Sequence, residues 1–154
     1  MISPPTILLL DEEPMLRRAT ALLLTNRGGV VTVAATADEA VALASERLYD
    51  VAIFDTATSA VSASEILRRI RDGGLVPRRS IAVVRGGETE GATDFVAVLE
   101  RPYAFDRLLT AVFGAAARTR TRSGVFPRAR ATPRAERRVT ARPSRAARAG
   151  RDRG

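Results

Sequence analysis

Short apolar runs alternate along the chain with longer segments whose apolar residues recur at helical spacing. Runs of four or five mostly apolar residues are typical of strands covered on both faces, and the segments between them then supply crossover helices. The pattern predicts an α/β fold, a doubly wound five-stranded parallel sheet with right-handed crossovers. The runs that predict the strands are residues 7–10, 30–34, 51–54, 81–84 and 96–99.

Four of the remaining segments carry signals for helices. Pro14 suits a first helical turn, and Gly28-Gly29 ends the segment that it opens. Capping boxes at residues 36–39 and 62–65 begin two more helices, whereas residues 86–94 predict at most a short one. The apolar faces predicted for the helices are Met15, Ala19, Leu22 and Leu23; Ala40, Val41, Ala44 and Leu48; Ala63, Ile66, Leu67 and Ile70; and Leu108, Leu109, Val112 and Phe113.

Charge is distributed unevenly, and all 25 basic residues are Arg. Residues 1–117 carry 12 Arg against 15 acidic residues, whereas residues 118–154 carry 13 Arg against two acidic residues. The change marks a boundary near Ala117, between one folded domain over 1–117 and a C-terminal tail. The tail has too few large apolar residues to offset the entropy of ordering, so it is predicted to be disordered.

Three explanations of the Arg-rich tail stay open from the sequence. Spaced Arg residues without a fold suit sequence-independent contact with phosphates, which makes nucleic acid a candidate partner. An acidic protein partner, or the acidic domain of the same chain, fits the charge equally well. Such a composition also arises without any selected partner.

The residue types that the chain lacks exclude several kinds of site and catalysis. The chain has no Cys and no His, which excludes disulfides, thiolate or imidazole metal sites and catalysis by a histidine base. No apolar run reaches the roughly 18 residues needed to cross a bilayer, and the N-terminus has no leader-like pattern. We therefore expect a cytoplasmic protein without membrane insertion, and not an enzyme that acts on small molecules.

Charged residues stand where four of the strands are predicted to end. Asp11 and Glu12 follow the first, Asp55 the third, Arg85 the fourth and Arg101 the fifth. Parallel α/β sheets bind ligands at this edge, so these side chains are expected to converge. Clustered carboxylates repel one another unless a cation lies among them, and oxygen ligands suit Mg²⁺. Alternatively, the first acids only decorate a helix N-terminus, where negative charge is favourable.

Four stretches taken jointly resemble the receiver domain of bacterial two-component response regulators. They are ILLLDEEP at 7–14, YDVAIFD at 49–55, EILRRIR at 65–71 and LERPY at 99–103. The resemblance covers residues 6 to about 117, and it implies the flavodoxin-like strand order 2-1-3-4-5.

The resemblance also implies roles for individual residues. Asp55 would be the phosphoacceptor. Asp11, Glu12 and Asp55, with the backbone carbonyl of Ala57, would bind Mg²⁺. Arg101 stands where the family keeps a Lys that contacts the phosphoryl group.

Departures from the family concern its switch. Arg85 stands where the family has a Ser or Thr whose hydroxyl moves to the phosphoryl group, and Val98 stands where it has an aromatic residue. The loop at 56–63 differs, and the segment between Arg85 and Arg101 is shorter than usual. Two hypotheses follow: Arg85 and Arg101 clamp a phosphoryl group on Asp55, or their guanidinium groups replace it permanently. An unrelated acidic pocket is the third.

The function expected from this resemblance is a stand-alone receiver-like module in a two-component phosphorelay. It would accept a phosphoryl group on Asp55 from a histidine kinase or a phosphotransfer protein and signal through protein contacts. The alternatives are a phosphorylation-independent binding module and polyanion binding through the tail.

Overall fold

The fold is seen in a computed structural model of the chain, which describes residues 3–87 and 94–114. A single parallel sheet of five strands has the order β2-β1-β3-β4-β5. This confirms the predicted fold class and strand order. The strands are β1 (Thr6–Asp11), β2 (Val30–Ala34), β3 (Val51–Asp55), β4 (Arg79–Arg85) and β5 (Ala97–Arg101).

The described helices follow β1, β2, β3 and β5 and cover both faces of the sheet. The three inner strands β1, β3 and β4 are buried almost throughout, as their continuous apolar runs require. The described helices are α1 (Pro14–Asn26), α2 (Ala37–Glu46), α3 (Ala63–Gly73) and α4 (Phe105–Phe113). The predicted tail at 118–154 and most of the segment 86–94 lie outside the described residues.

The hydrophobic core has two layers, one on each face of the sheet. The layer that includes α2 and α3 contains many Ala side chains and the large buried rings of Tyr49 and Phe54. The layer that includes α4 and the end of α1 contains mostly Ile, Leu and Val. The faces predicted for α3 and α4 are confirmed, since Ile66, Leu67, Ile70, Leu108, Leu109 and Val112 are all buried.

Several residues predicted to face the core are exposed instead, one after α2 and the others in α1. Leu48 was expected to pack with α2, but the helix ends at Glu46 and Leu48 is 43% exposed. In α1 only Leu24 is buried, whereas Met15, Leu22 and Leu23 face outward. When a helix carries apolar residues on more than one face, as α1 does, helical spacing alone cannot tell which face packs on the sheet.

The amino-terminal edge of the sheet is held by side-chain bonds across strands. Asp50, just before β3, accepts from the backbone N–H of Thr6 at 2.9 Å and from its hydroxyl at 3.1 Å. On β4, the Arg79 guanidinium donates to the carbonyls of Ala111 and Val112 near the end of α4. These bonds satisfy carbonyls that a helix C-terminus leaves free.

Helix starts agree with the predicted capping boxes. The backbone N–H of Glu39 donates to the Thr36 hydroxyl, and that of Glu65 donates to the Ser62 hydroxyl, both at 3.1 Å. None of the described helices is long and apolar enough to cross a membrane.

Candidate functional site

The predicted charged residues do meet at the carboxyl edge of the sheet. Asp11 is paired in register with Asp55 on adjacent strands, and Arg85 is paired in register with Arg101. The two aspartates are almost fully buried, at 2% and 5% exposure. We call Asp11, Asp55 and the Ala57 carbonyl the acidic pocket.

Arg101 lies across both aspartates of the acidic pocket. Its Nε donates to Asp55 Oδ2 at 3.1 Å, and its Nη2 makes a second, shorter contact with the same oxygen. The same Nη2 also approaches Asp11 Oδ2 at 3.4 Å. One guanidinium therefore supplies the cation that this pair of buried carboxylates needs, and the chain supplies it itself.

Burial and pairing act in opposite directions on these groups. Burial raises the pKa of Asp55 above its usual value, and the bonds from Arg101 offset part of that rise. Burial, with the charge of Asp55, also raises the pKa of Asp11, against the bond from the Glu13 N–H and the charge of Arg101. Burial works against the Arg101 charge, but its contacts with Asp55 and Asp11 leave the pKa of Arg101 above its usual value.

Arg85 engages the third member of the acidic pocket. Its Nε and Nη2 donate to the Ala57 carbonyl oxygen at 3.2 and 3.0 Å. The Ala57 N–H in turn donates to Asp55 Oδ1 at 3.3 Å. Arg85 thus holds the backbone just after β3, while Arg101 holds the carboxylate at its end.

Glu12 is directed to a different partner. Its carboxylate accepts from the hydroxyl of Ser59 at 3.0 Å, so it ties the β1–α1 turn to the loop after β3. Asp11 is held by bonds from the residues that follow it. Its carboxylate accepts from the Glu13 N–H, and its backbone carbonyl accepts from the Arg17 guanidinium.

The oxygen atoms that would bind Mg²⁺ do not fit the ion in this arrangement, because they already accept hydrogen bonds from other side chains. Both aspartates accept from Arg101, the Ala57 carbonyl accepts from Arg85, and Glu12 accepts from Ser59. Across residues 3–87 and 94–114, no three acidic, His or Cys side chains gather as a metal site. An ion would have to displace both guanidinium groups. Mg²⁺ binding by Asp11, Glu12, Asp55 and Ala57 therefore stays a prediction.

Ser59, Arg17 and Tyr103 were missed by sequence reasoning. Ser59 lies in the loop that departs from the family pattern, and Arg17 belongs to a helix surface, so neither carried a signal. Tyr103 follows Arg101 by two residues, and Arg101-Pro102 is a cis peptide. Burial, followed by the nearby charge of Asp55, raises the pKa of Tyr103 to about 12.

The site combines the Asp55 carboxylate, at the end of β3, with the guanidinium groups of Arg101 and Arg85, which already donate hydrogen bonds within the acidic pocket. A free Asp55 carboxylate could act as a nucleophile toward a phosphoryl group. In the described geometry its Oδ2 is covered by Arg101, and its Oδ1 accepts from the Ala57 N–H. The arrangement is that of a neutralised pocket.

Solved receiver domains share this fold. A response regulator receiver protein from Pseudomonas putida is 25% identical, with a TM-score of 0.63 over 73% of this chain and 98% of that one. A response regulator receiver domain protein from Clostridium thermocellum is 22% identical, with a TM-score of 0.63 over 77% of this chain and 98% of that one.

A third similar structure is a response regulator protein from Burkholderia pseudomallei, which holds a phosphorylated aspartic acid, a calcium ion and citrate. It is 21% identical, with a TM-score of 0.59 over 78% of this chain and 73% of that one. No protein-family model matches the chain, and no curated protein matches it in sequence. The described part of this chain has the fold of a response regulator receiver domain, with Asp55 at the end of its third strand.

Proposed function

We propose that this chain is a receiver-fold signalling module that works through protein contacts and whose acidic pocket is held in one state by Arg101. The observation that carries the proposal is the contact of one guanidinium with both buried aspartates. Its proposed partners are the proteins that a receiver in a two-component system meets, a histidine kinase or a phosphotransfer protein. No turnover of a small molecule is part of the proposal.

The chemistry of guanidinium supports a permanent replacement. Arg stays protonated at any physiological pH, and its planar fork matches a carboxylate, so the pair does not open by titration of the base. The Arg101 side chain is 24% exposed and that of Asp55 is 6% exposed. Breaking such a pair would leave a buried carboxylate without its counter-ion, which costs several kcal/mol.

Arg85 supports the same proposal from the other side of the pocket. A hydroxyl at the end of β4 could move toward a phosphoryl group, whereas the Arg85 guanidinium is already bound to the Ala57 carbonyl. That carbonyl is the backbone oxygen assigned to Mg²⁺ by resemblance. Arg101 therefore supplies the positive charge that a bound Mg²⁺ would supply, and Arg85 occupies the carbonyl oxygen that would bind the ion.

The second candidate function is phosphoryl transfer to Asp55. The position of Asp55 favours it, at the end of β3 and in register with Asp11. The phosphorylated aspartic acid in the Burkholderia pseudomallei structure shows the chemistry in a protein with a similar fold. In this chain, Arg101 and Arg85 would first have to leave their present partners.

The two candidates are separated by intact-mass measurement after incubation with acetyl phosphate and Mg²⁺. The unmodified protein is expected to gain no phosphoryl group. The double variant Arg85→Thr with Arg101→Lys frees the Ala57 carbonyl and replaces the fork with a point charge, so it is expected to gain one. That gain should require Mg²⁺ and should vanish when Asp55→Asn is added.

A matched control is Arg78→Lys, an exposed position at the opposite edge of the sheet. It should leave the outcome of the unmodified protein unchanged, and circular dichroism should show that every variant is folded. Phosphorylation of the unmodified protein at Asp55 would overturn the proposed function in favour of the second candidate.

A further inference from the structure

The two edges of the sheet differ in charge. At one edge β5 carries Glu100 and Arg101, and the Glu100 carboxylate accepts from the Gly87 N–H at 2.6 Å. At the other edge β2 has the sequence VVTVA, without a charged residue or a proline, and its register with β1 has no bulge. Charges, prolines and bulges are the features that keep an edge strand from pairing with further strands. Since β2 has none of them, its edge can accept another strand.

The backbone of β2 has hydrogen-bonding groups on its outer side. The Val30 N–H donates to the Pro5 carbonyl at 2.9 Å, so the Val30 backbone faces β1. Every second residue from Val30 faces β1 in the same way, which leaves the backbone groups of Val31 and Val33 directed outward. Val30 and Val33 are also 48% and 42% exposed. The outer edge of β2 therefore combines unpaired backbone groups with apolar side chains.

The sequence of β2 is suited to pairing with a second copy of itself. A two-fold axis at Thr32 would align two copies antiparallel and place Val31 opposite Val33 of the second copy. Opposite residues of an antiparallel pair exchange both of their backbone hydrogen bonds when their groups face one another. The axis repeats this pair, and it brings the two Thr32 side chains together as a β-branched cross-strand pair. Such a self-complementary contact is the interface of a two-fold dimer.

Charges at the two ends of β2 favour the same alignment. Arg27 lies just before the strand, is exposed and forms no ion pair with another described residue. Asp38 and Glu39 lie beyond the other end, in the first turn of α2, and the Asp38 side chain is 86% exposed. Asp38 pairs with Arg69, and a carboxylate has room for a second donor. An antiparallel copy brings the basic end of each strand to the acidic end of the other.

The helices on the two faces of the sheet leave room for this contact. Both α1 and α2 pack on β1 as well as on β2, so their axes lie inward of the edge. Paired strands are about 4.8 Å apart, so helices midway between β1 and β2 would lie about 10 Å from their copies. This is the distance at which helices pack against each other, so two copies fit without a clash.

We propose that two copies of this chain associate through β2, which joins their sheets into one continuous sheet that is antiparallel at its centre. The outward backbone groups of Val31 and Val33 supply the hydrogen bonds, and Arg27 of each copy pairs with Asp38 of the other. The proposal goes beyond the proposed function and does not depend on the state of the acidic pocket.

Sedimentation velocity of the full chain, freed of nucleic acid and measured up to about 100 µM, tests the proposal. The unmodified protein is expected to form a dimer whose fraction rises with concentration. Val33→Lys should raise the dissociation constant of the dimer at least about tenfold, because each interface then contains two ammonium groups. The matched control is Val96→Lys, at a valine that is 57% exposed just before the other edge strand, β5. It should leave the dissociation constant unchanged.

An exchange of charges tests the antiparallel alignment. Arg27→Glu should raise the dissociation constant about tenfold, because it sets two carboxylates against each other at both ends of the interface. Adding Asp38→Arg to the same chain should restore most of the association, since the ion pairs form again with reversed polarity. Circular dichroism should show that every variant is folded.

A protein that is monomeric at every concentration would overturn the proposal. A dimer that Val33→Lys leaves intact, or that Val96→Lys weakens as strongly, would also overturn it, since the contact would then lie at another surface. Charge exchange without restored association would contradict the alignment on which the interface depends. None of these outcomes alters the phosphorylation test of Asp55, so the two proposals fail separately.

Discussion

Arg101 offers Asp55 a planar set of N–H donors, where a Lys would offer a compact point charge that water hydrates strongly. The guanidinium reaches Asp55 through two nitrogens and Asp11 through one. Arg85 does the same for a backbone oxygen, with two nitrogens on the Ala57 carbonyl. Both interactions use the width of the group, which an ammonium lacks.

Asp50 provides a prediction about pH at the opposite edge of the sheet. Its bonds from the Thr6 N–H and hydroxyl hold the pKa of Asp50 below the usual Asp value of 3.8. A depressed pKa stabilises the folded state above that value, and this contribution is lost as the pH falls through the folded-state pKa. Asp50→Asn should therefore lower the free energy of unfolding most at neutral pH, and by less as the pH falls below about 4.

Urea unfolding of both proteins at a series of pH values measures this difference. Asp11 and Asp55 act in the opposite sense, because their pKa values are raised in the folded protein, so their contribution is lost as the pH rises. Both proteins carry them, and they cancel in the comparison. A difference that stays constant between pH 3 and pH 7 would contradict the role assigned to Asp50.

At the residue scale, the sequence located the site but not its contacts. Asp11, Asp55, Arg85 and Arg101 could be placed because each follows an apolar run that ends at the same edge of the sheet. Whether Arg101 meets a phosphoryl group or a carboxylate depends on side-chain conformation, which spacing does not encode. Glu12 was expected beside the aspartates, but its bond to Ser59 depends on a loop with no recognisable pattern.

Secondary-structure elements differ in how well their packing could be predicted. Helix α3 has four buried apolar residues on one face and a polar opposite face, so its orientation follows from the sequence. Helix α1 carries apolar residues on more than one side, and only Leu24 enters the core. The sequence could not show which face of α1 is outward, because apolar residues occur on both its exposed and its buried sides.

The junction of α1 and β2 gives a prediction at the scale of elements. A Cβ at Gly29 would lie 2.6 Å from Cδ1 of the buried Ile7 and 3.2 Å from the carbonyl oxygen of Leu24. Gly29→Ala should therefore destabilise the fold by about 1–3 kcal/mol, because the turn cannot move away from the core without repacking.

Gly73 is the matched control in the same experiment. It ends α3, and a Cβ there would meet nothing within 4 Å. Gly73→Ala should raise stability by about 0.5 kcal/mol, since Ala loses less backbone entropy on folding. Thermal unfolding of both variants checks the pair, and equal melting temperatures would show that the contact at Gly29 relaxes freely.

At the scale of the whole chain, the folded domain and the segment 118–154 carry opposite net charge. The segment lies outside the described residues, so its predicted disorder and its partners stay predictions. If it binds polyanions, a fluorescent DNA duplex should bind the full chain and not a chain that ends at residue 117. With about six phosphate contacts, the affinity should fall roughly a thousandfold between 50 and 200 mM salt.

A salt-insensitive interaction, or one that survives deletion of the segment, would exclude this account of the Arg residues. The boundary near Ala117 came from composition alone and stays a prediction, since the described residues end just after α4, at residue 114. Composition can mark where a core ends because apolar residues become scarce there. It cannot name a partner, because a run of like charges fits any surface of opposite charge.

Under the proposed function, the bond between Arg101 and Asp55 changes what kind of message the molecule can carry. A switch that is charged and discharged by a donor reports the donor's activity from moment to moment. A protein that has only one state from the time of its synthesis does not respond to a phosphoryl donor, so the information that it carries is its concentration. Its signal would rise and fall with its synthesis and degradation, on the slow time scale of gene expression.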